Sequence, residues 1–401
     1  MKRILTLALC ATVAGGMFAQ KAVVDQAAKL KGKADKIAEA RSLIEQASKN
    51  PETANDVRTY YVGGKNEFDL YDNARTKQMI NPQDKSIDPM AMAEQLINGY
   101  NMYVRALPLD SVPDEKGKIK AKHSKEIIAA FNNHFNDFFN AGGTFYNAKK
   151  FYPEAYQAFM IYGMMPQQPY AAKVVKEVPD SVINTAFFNA GLSAYAGNAL
   201  PEAANAFKQG RLNNSDNPQN YIYELACWQY MVNNDSTIEN QAKKEIEEIA
   251  LAGFKKFGTE PMIFVNNIVN SYILENRAQE ALNLVEGQLK NEPENAALYG
   301  LLGYIYDRMD NDEQSIANYM KATSFANTDY ETLKNAAKKL LKTGTEKLNA
   351  TEDRAARQAL KDQYFVPAKE ITDRAKQIKA DDSDLNYIID NIDYAITTYF
   401  K

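Results

Sequence analysis

Between Met262 and Asp329 a pattern of small, branched and aromatic residues recurs every 34 positions, with one copy starting where the other ends. Val265 and Tyr299 hold the fourth place, Val269 and Gly303 the eighth, and Tyr272 and Tyr306 the eleventh. Ala281 and Ser315 follow at the twentieth, Val285 and Tyr319 at the twenty-fourth, and Pro293 closes the first copy. A period of this length is that of a pair of antiparallel helices stacked on the next pair. Small residues at places eight and twenty let the first helix, A, approach the second, B, and the aromatics are expected to fill the gap to the next pair.

These residues resemble the tetratricopeptide repeat family (TPR). The resemblance implies an all-α solenoid, a right-handed superhelix of antiparallel helix pairs, and together with the leader read below it points to an exported, periplasmic protein of Gram-negative envelope type. Counted the same way, Asn136 begins a copy with Phe139, Gly143, Tyr146, Ala155 and Phe159. Asn184 begins another with Phe187, Gly191, Ala203 and Phe207, and its tyrosine falls one place late at Tyr195. Residues 218–261 make a stretched unit in which Glu224 lands on an apolar place and Trp228, expected to be buried, on the eleventh. The expected layout is a leader over 1–19, divergent helical repeats over 20–135 and repeats over 136–329. Those repeats are units near 136–169, 184–217, 218–261, 262–295 and 296–329, and helical repeats with a capping helix follow over 330–401. That layout gives one elongated domain of roughly sixteen to eighteen helices. In the last helix Leu385, Ile388, Ile389, Ile392, Ile396 and Tyr399 form the stripe expected to face inward, leaving Asp390, Asn391, Asp393 and Thr397 in water.

Lys2 and Arg3, the apolar run Ile4 to Val13 and the small residue Ala19 before Gln20 read as a cleaved export signal. The run is too short to span a membrane. Leu7-Ala8-Leu9-Cys10 is a poor lipobox because Leu9 replaces the small residue needed before the cysteine, so lipidation is not expected. Removing Lys2 and Arg3 from 47 basic residues leaves 45 against 51 acidic ones, a net charge of −6 that disfavours nucleic acid as partner. The basic runs 116–125 and 334–347 read as solvated helix faces. Cys227 is then the one cysteine of the mature chain, expected as a buried small hydrophobe.

No Gly-x-Ser-x-Gly elbow, His-Glu-x-x-His helix, P-loop or dinucleotide turn occurs, so no enzyme chemistry and no cofactor are expected. His123 and His134, about 16 Å apart along a helix, are too distant to share a metal and read as partly exposed polar residues. The acidic groups at 307–313 and 381–384 lack the glycine and distal glutamate of a calcium loop. They suit helix N-caps at Asp312 and at Ser383 or Asp384, so no metal is expected.

The resemblance places partner contacts on the concave face, at places two, five, nine and twelve of each A helix. These carry Asp137, Asn140, Thr144 and Asn147; Thr185, Phe188, Leu192 and Tyr195; Ile263, Asn266, Asn270 and Ile273; Ala297, Gly300, Tyr304 and Asp307. The amides of Asn266 and Asn270, four apart, can serve the backbone of an extended peptide. The aligned places carry no Lys or Arg with which to clamp a terminal carboxylate. The expected function is therefore a non-enzymatic scaffold for a protein or peptide partner, with no transmembrane segment. Its site candidates are Asn140, Thr144, Asn147, Phe188, Tyr195, Asn266, Asn270, Tyr304 and Asp307. A glycan- or nutrient-binding protein on the same frame is the alternative, and it needs a cluster of aromatics on a groove.

Overall fold

The computed structural model describes residues 21–113 and 116–400. The expected export signal and Cys10 lie outside them. Among the described residues the fold is all-α and TPR-like, with no strand beyond an isolated bridge between Pro113 and Ile119. Contacts divide the chain into two compact units at Ser236/Thr237, a boundary inside the stretched repeat 218–261.

In the first unit, helical residues 21–29 (α1) precede α2 (Ile37–Lys49), α3 (Val57–Ile80), α4 (Pro89–Leu109) and α5 (Ser124–Asn133). Then come α6 (Phe135–Asn147), α7 (Tyr152–Met164), the single turn α8 (Lys173–Lys176), α9 (Asp180–Ala196), α10 (Leu200–Leu212) and α11 (Pro218–Asn234). The second unit holds α12 (Glu239–Phe257), α13 (Ile263–Leu274), α14 (Ala278–Leu289), α15 (Ala296–Arg308) and α16 (Asp312–Thr323). It ends with α17 (Tyr330–Asn349), α18 (Arg354–Leu360), a π-helical turn over Lys361–Phe365, α19 (Val366–Ile378) and α20 (Ser383–Tyr399). The short α5, α8 and α18 account for the excess over the number of helices expected.

In three of the repeats, α6/α7, α9/α10 and α15/α16, a glycine on helix A seats an aromatic ring from helix B. A Cβ on Gly303 of α15 would stand 2.7 Å from the Tyr319 ring of α16, and one on Gly191 of α9 would stand 2.4 Å from the Phe207 ring of α10. Any side chain at these places would drive the two helices apart. Ser315 adds a polar stitch, its hydroxyl donating to the Gly303 carbonyl at 2.8 Å. In the preceding pair the same places hold Val269 and Val285, both fully buried in one cluster, a compromise in which neither partner is extreme. The place-24 aromatics thus seat on the glycine of their own pair and also reach the next one, as the sequence suggested: Phe207 stacks on Tyr223 of α11 at 5.3 Å, and Tyr319 shares a core cluster with Leu333 and Ala336 of α17. Between pairs a second seat adds to that contact, with Phe187 of α9 lying against Gly163 of α7 and Phe264 of α13 against Gly253 of α12.

The copy counted from Asn136 is out of register in its A helix. Gly142, not Gly143, seats Phe159, at 2.8 Å, whereas a Cβ on Gly143 would meet nothing within 4 Å. Phe138 and Phe145 are the buried aromatics, and Tyr146 is exposed. The cause is the A–B turn. Residues 148–151 lie between α6 and α7, one more than the three residues between α9 and α10 or between α15 and α16. A fixed 34-residue count that is right for α7 therefore places α6 one residue late. Each of these turns reverses through a residue with positive φ: Lys149, Asn198 and Asp310, with Asn276 between α13 and α14. Asn and Asp tolerate that conformation best.

Several helix starts are capped by Asn or Asp. Asn311 accepts from the Gln314 amide and Asp382 from the amides of Asp384 and Leu385, so the caps of α16 and α20 lie just before the residues expected. Glu224, anomalous in sequence, is fully buried and forms a bidentate pair with Arg211 at 2.8 and 3.1 Å. His134 is buried, against expectation, with Nδ1 3.0 Å from Asp137. Trp228 is only partly buried.

Two outcomes follow. Gly303→Leu should cost roughly 1–3 kcal/mol or more by overpacking, read as a lower denaturation midpoint; an unchanged midpoint would refute the seat. Arg211→Ala should cost about 3–5 kcal/mol because Glu224 stays buried without its partner. The double change Arg211→Met with Glu224→Leu should recover most of that loss in the same urea titration.

Candidate functional site

In the second unit the A helices α13, α15 and α17 lie side by side, and α20 follows against α17. Their common face carries a groove of about 400 Å³ lined by Asn266, Asn270, Gly300, Tyr304, Thr332 and Asn335. Sequence counting thus brings Asn266, Asn270 and Tyr304 together. Both asparagines are exposed and their amides make no hydrogen bond, leaving each a donor and an acceptor pointed at the groove. The groove floor is open because Gly300 has no side chain, since a Cβ there would stand 2.7 Å from Thr332.

Asp307 is not free for a partner. Lys339 of α17, itself buried, binds both Asp307 and Asp312, the latter at 2.6 Å. Burial works against charge on this lysine, but the two carboxylates outweigh it and raise its pKa. The basic run 334–347 is accordingly not one solvated face. Lys339 turns inward, and Lys334 and Lys347 lie over the rings of Tyr330 and Tyr364. Lys338 and Lys342 stay exposed.

Past Asn335 the face continues into a groove of about 780 Å³ between α17 and α20. Lys338 and Lys342 stand on one wall, with Tyr387, Asn391 and Tyr394 on the other. Leu385, Ile388 and Ile392 pack inward as expected, but Tyr399 points outward at 45% exposure, with Tyr387 at 69% and Tyr394 at 59%. Sequence reading passed over these tyrosines because the aliphatic stripe defined the helix. Their spacing of seven residues, Tyr387 to Tyr394, was the signal for a second face.

In the first unit Phe188 and Tyr195 share an aromatic cluster with Tyr223 of α11. Phe188 and Tyr195 stand edge-on to the Tyr223 ring at 6.1 and 5.8 Å, and Tyr230 extends the cluster outward. Phe188 also borders a polar pocket of about 440 Å³ with Asn184, Thr185 and Asn220. Asn140 and Asn147 are exposed and Thr144 half-buried, its hydroxyl donating to the Asn140 carbonyl. The register correction moves the inner places of α6 to Asn136, Phe139, Gly143 and Tyr146, so Asn140, Thr144 and Asn147 lie one residue beside that line.

Among the described residues no group of three or more His, Cys, Asp or Glu side chains is placed to hold a metal, and no helix is long and apolar enough to cross a membrane. Cys227 is buried, and that burial pushes its thiol up to about 12. It should therefore resist a thiol reagent at pH 8 in the folded protein and react only on unfolding; fast labelling without denaturant would contradict the packing.

No family model matches the sequence, and no curated protein matches it. Among solved structures the chain is similar to the Cut9–Hcn1 hetero-tetramer of the APC/C, at 12% identity over 93% of this chain, with a TM-score of 0.34. It spans 63% of that chain's length. It is similar also to the P58(IPK) TPR domain, at 11% identity over 95% of this chain and 99% of the other, with a TM-score of 0.30. The TPR2AB domain of yeast Sti1, solved as a pHSP90 complex, is 12% identical over 81% of this chain and 98% of the other, with a TM-score of 0.24.

Proposed function

We propose that this chain is an exported, non-enzymatic scaffold that holds a protein or peptide segment along the A-helix face of its second unit. The observation that carries the reading is the pair of unpartnered amides, Asn266 and Asn270, beside the ring of Tyr304 in an open groove. An extended peptide exposes one N–H and one C=O per residue, and side-chain amides one helical turn apart satisfy such groups without selecting a side chain. A photo-crosslinking residue at position 270, in protein expressed with its own leader, should trap one discrete adduct in the cell envelope. The same residue at Lys290, exposed in the turn after α14, should trap none. Equal adducts from both positions would sink the assignment. Export is supported by the leader pattern, and the mass of the envelope-derived protein should begin at Gln20.

The alternative, a glycan- or nutrient-binding protein on the same frame, gains support from the exposed Tyr387, Tyr394 and Tyr399, which supply the aromatic cluster it requires. Titration of oligosaccharides against intrinsic tyrosine fluorescence separates the two. A saturable change abolished by Tyr387→Ala with Tyr394→Ala would favour the glycan.

A further inference from the structure

The groove between α17 and α20 differs in chemistry from the amide-lined one beside it. Its α17 wall carries Lys338 and Lys342, both exposed and neither within ion-pair reach of a carboxylate, although most other lysines of this helix are engaged. Lys334, at one end, is held by Glu331 at 3.1 Å and Asp382 at 3.5 Å. The acidic residues lining the groove are Asp384, in the first turn of α20, and Glu346, one turn beyond Lys342. Between them the ammonium groups of Lys338 and Lys342, the latter acting on Asp312 only at longer range, face Tyr387, Asn391 and Tyr394. A basic wall opposite an aromatic wall is an unusual use of surface in a chain with 51 acidic and 47 basic residues.

We infer that this groove takes an internal, extended segment of a partner protein in which acidic and apolar residues alternate. The spacing carries the argument. Lys338 and Lys342 are one turn apart, about 6 Å along the axis. In an extended chain every second side chain points the same way, about 6.6–6.8 Å from the last. Two carboxylates at alternate positions thus meet the two lysines. The intervening side chains point to the opposite wall, where the tyrosine rings offer apolar faces and Asn391, whose Nδ2 donates to the Tyr387 carbonyl at 2.7 Å, offers its Oδ1 to a backbone N–H. Desolvation is partial, so the ion pairs supply selectivity and salt dependence while the rings supply contact area. No terminal carboxylate is required. The inference rests on the reading that the A-helix face of this unit holds a peptide, and it names the chemistry of the segment that lies in this part of it.

The test uses the full mature chain and fluorescein-labelled peptides with both ends blocked, one alternating Glu and Leu, one alternating Lys and Leu. The Glu peptide should bind saturably and weaken as salt rises from 50 to 500 mM, and the Lys peptide should not bind. Lys338→Glu with Lys342→Glu should cost the Glu peptide about tenfold in affinity, each lost exposed pair being worth up to about fivefold, and should confer binding of the Lys peptide. Tyr387→Ala with Tyr394→Ala should weaken the Glu peptide without changing its salt slope. Equal binding of the two peptides, indifference to the lysine reversal, or an oligosaccharide that saturates the groove and displaces nothing charged would overturn the inference. The adduct trapped from position 270 distinguishes the two levels. If it persists in the lysine-reversed chain while the peptides fail, the A-helix face still holds a partner, but not through this groove.

Discussion

A glycine set under an aromatic ring is the contact on which these repeats depend. Two helices whose facing side chains are all of ordinary size pack at 8–10 Å between axes. With Gly303 beneath Tyr319, or Gly191 beneath Phe207, the ring lies on the opposing backbone itself. The ring then fixes both the distance and the longitudinal offset of the pair, since sliding either helix by one residue would put a side chain where the ring must go. A second set of seats, such as Gly163 under Phe187, joins one pair to the next. Within each unit the order of the pairs comes from contacts of these two kinds between neighbours along the chain.

This constraint also explains what could be read in advance. Gly303, Ser315 and Tyr319 sit in the strict part of the period, and their packing is as the spacing implies, down to the short approach of the two helices. Around α6 the sequence offers two adjacent glycines and the doublets Phe138-Phe139 and Phe145-Tyr146, so either register satisfies the pattern. Only the turn length decides between them, and turn length is a property of backbone geometry that residue type encodes weakly. Glu224 was misleading in the opposite sense. It marks no slip, because Arg211 on the preceding helix neutralises it, and a pairing thirteen residues away across a turn leaves no local signature.

The candidate site divides in the same way. Asn266, Asn270 and Tyr304 fall on one groove because they obey the period of clear repeats. Asp307 obeys it too, yet is consumed by Lys339 from a helix whose repeat character is weak. Lys338, Lys342, Tyr387 and Tyr394 were hidden for a related reason: α17 and α20 are longer than the helices of the strict repeats, α13 to α16, and their second faces acquire meaning only once the two are laid side by side. A face shared by two elements is not a property of either one alone.

The extra residue in the turn between α6 and α7 bears on how such a chain can change with time. Because the rings and glycines lock the helices to one another, the added residue is absorbed within the 148–151 turn, and the ring of Phe159 still reaches its place. Insertions of this kind erode the arithmetic of the sequence while leaving the spatial repeat intact. A lineage that accumulates them would lose the recognisable motif long before it lost the architecture, and shared ancestry would survive chiefly as geometry.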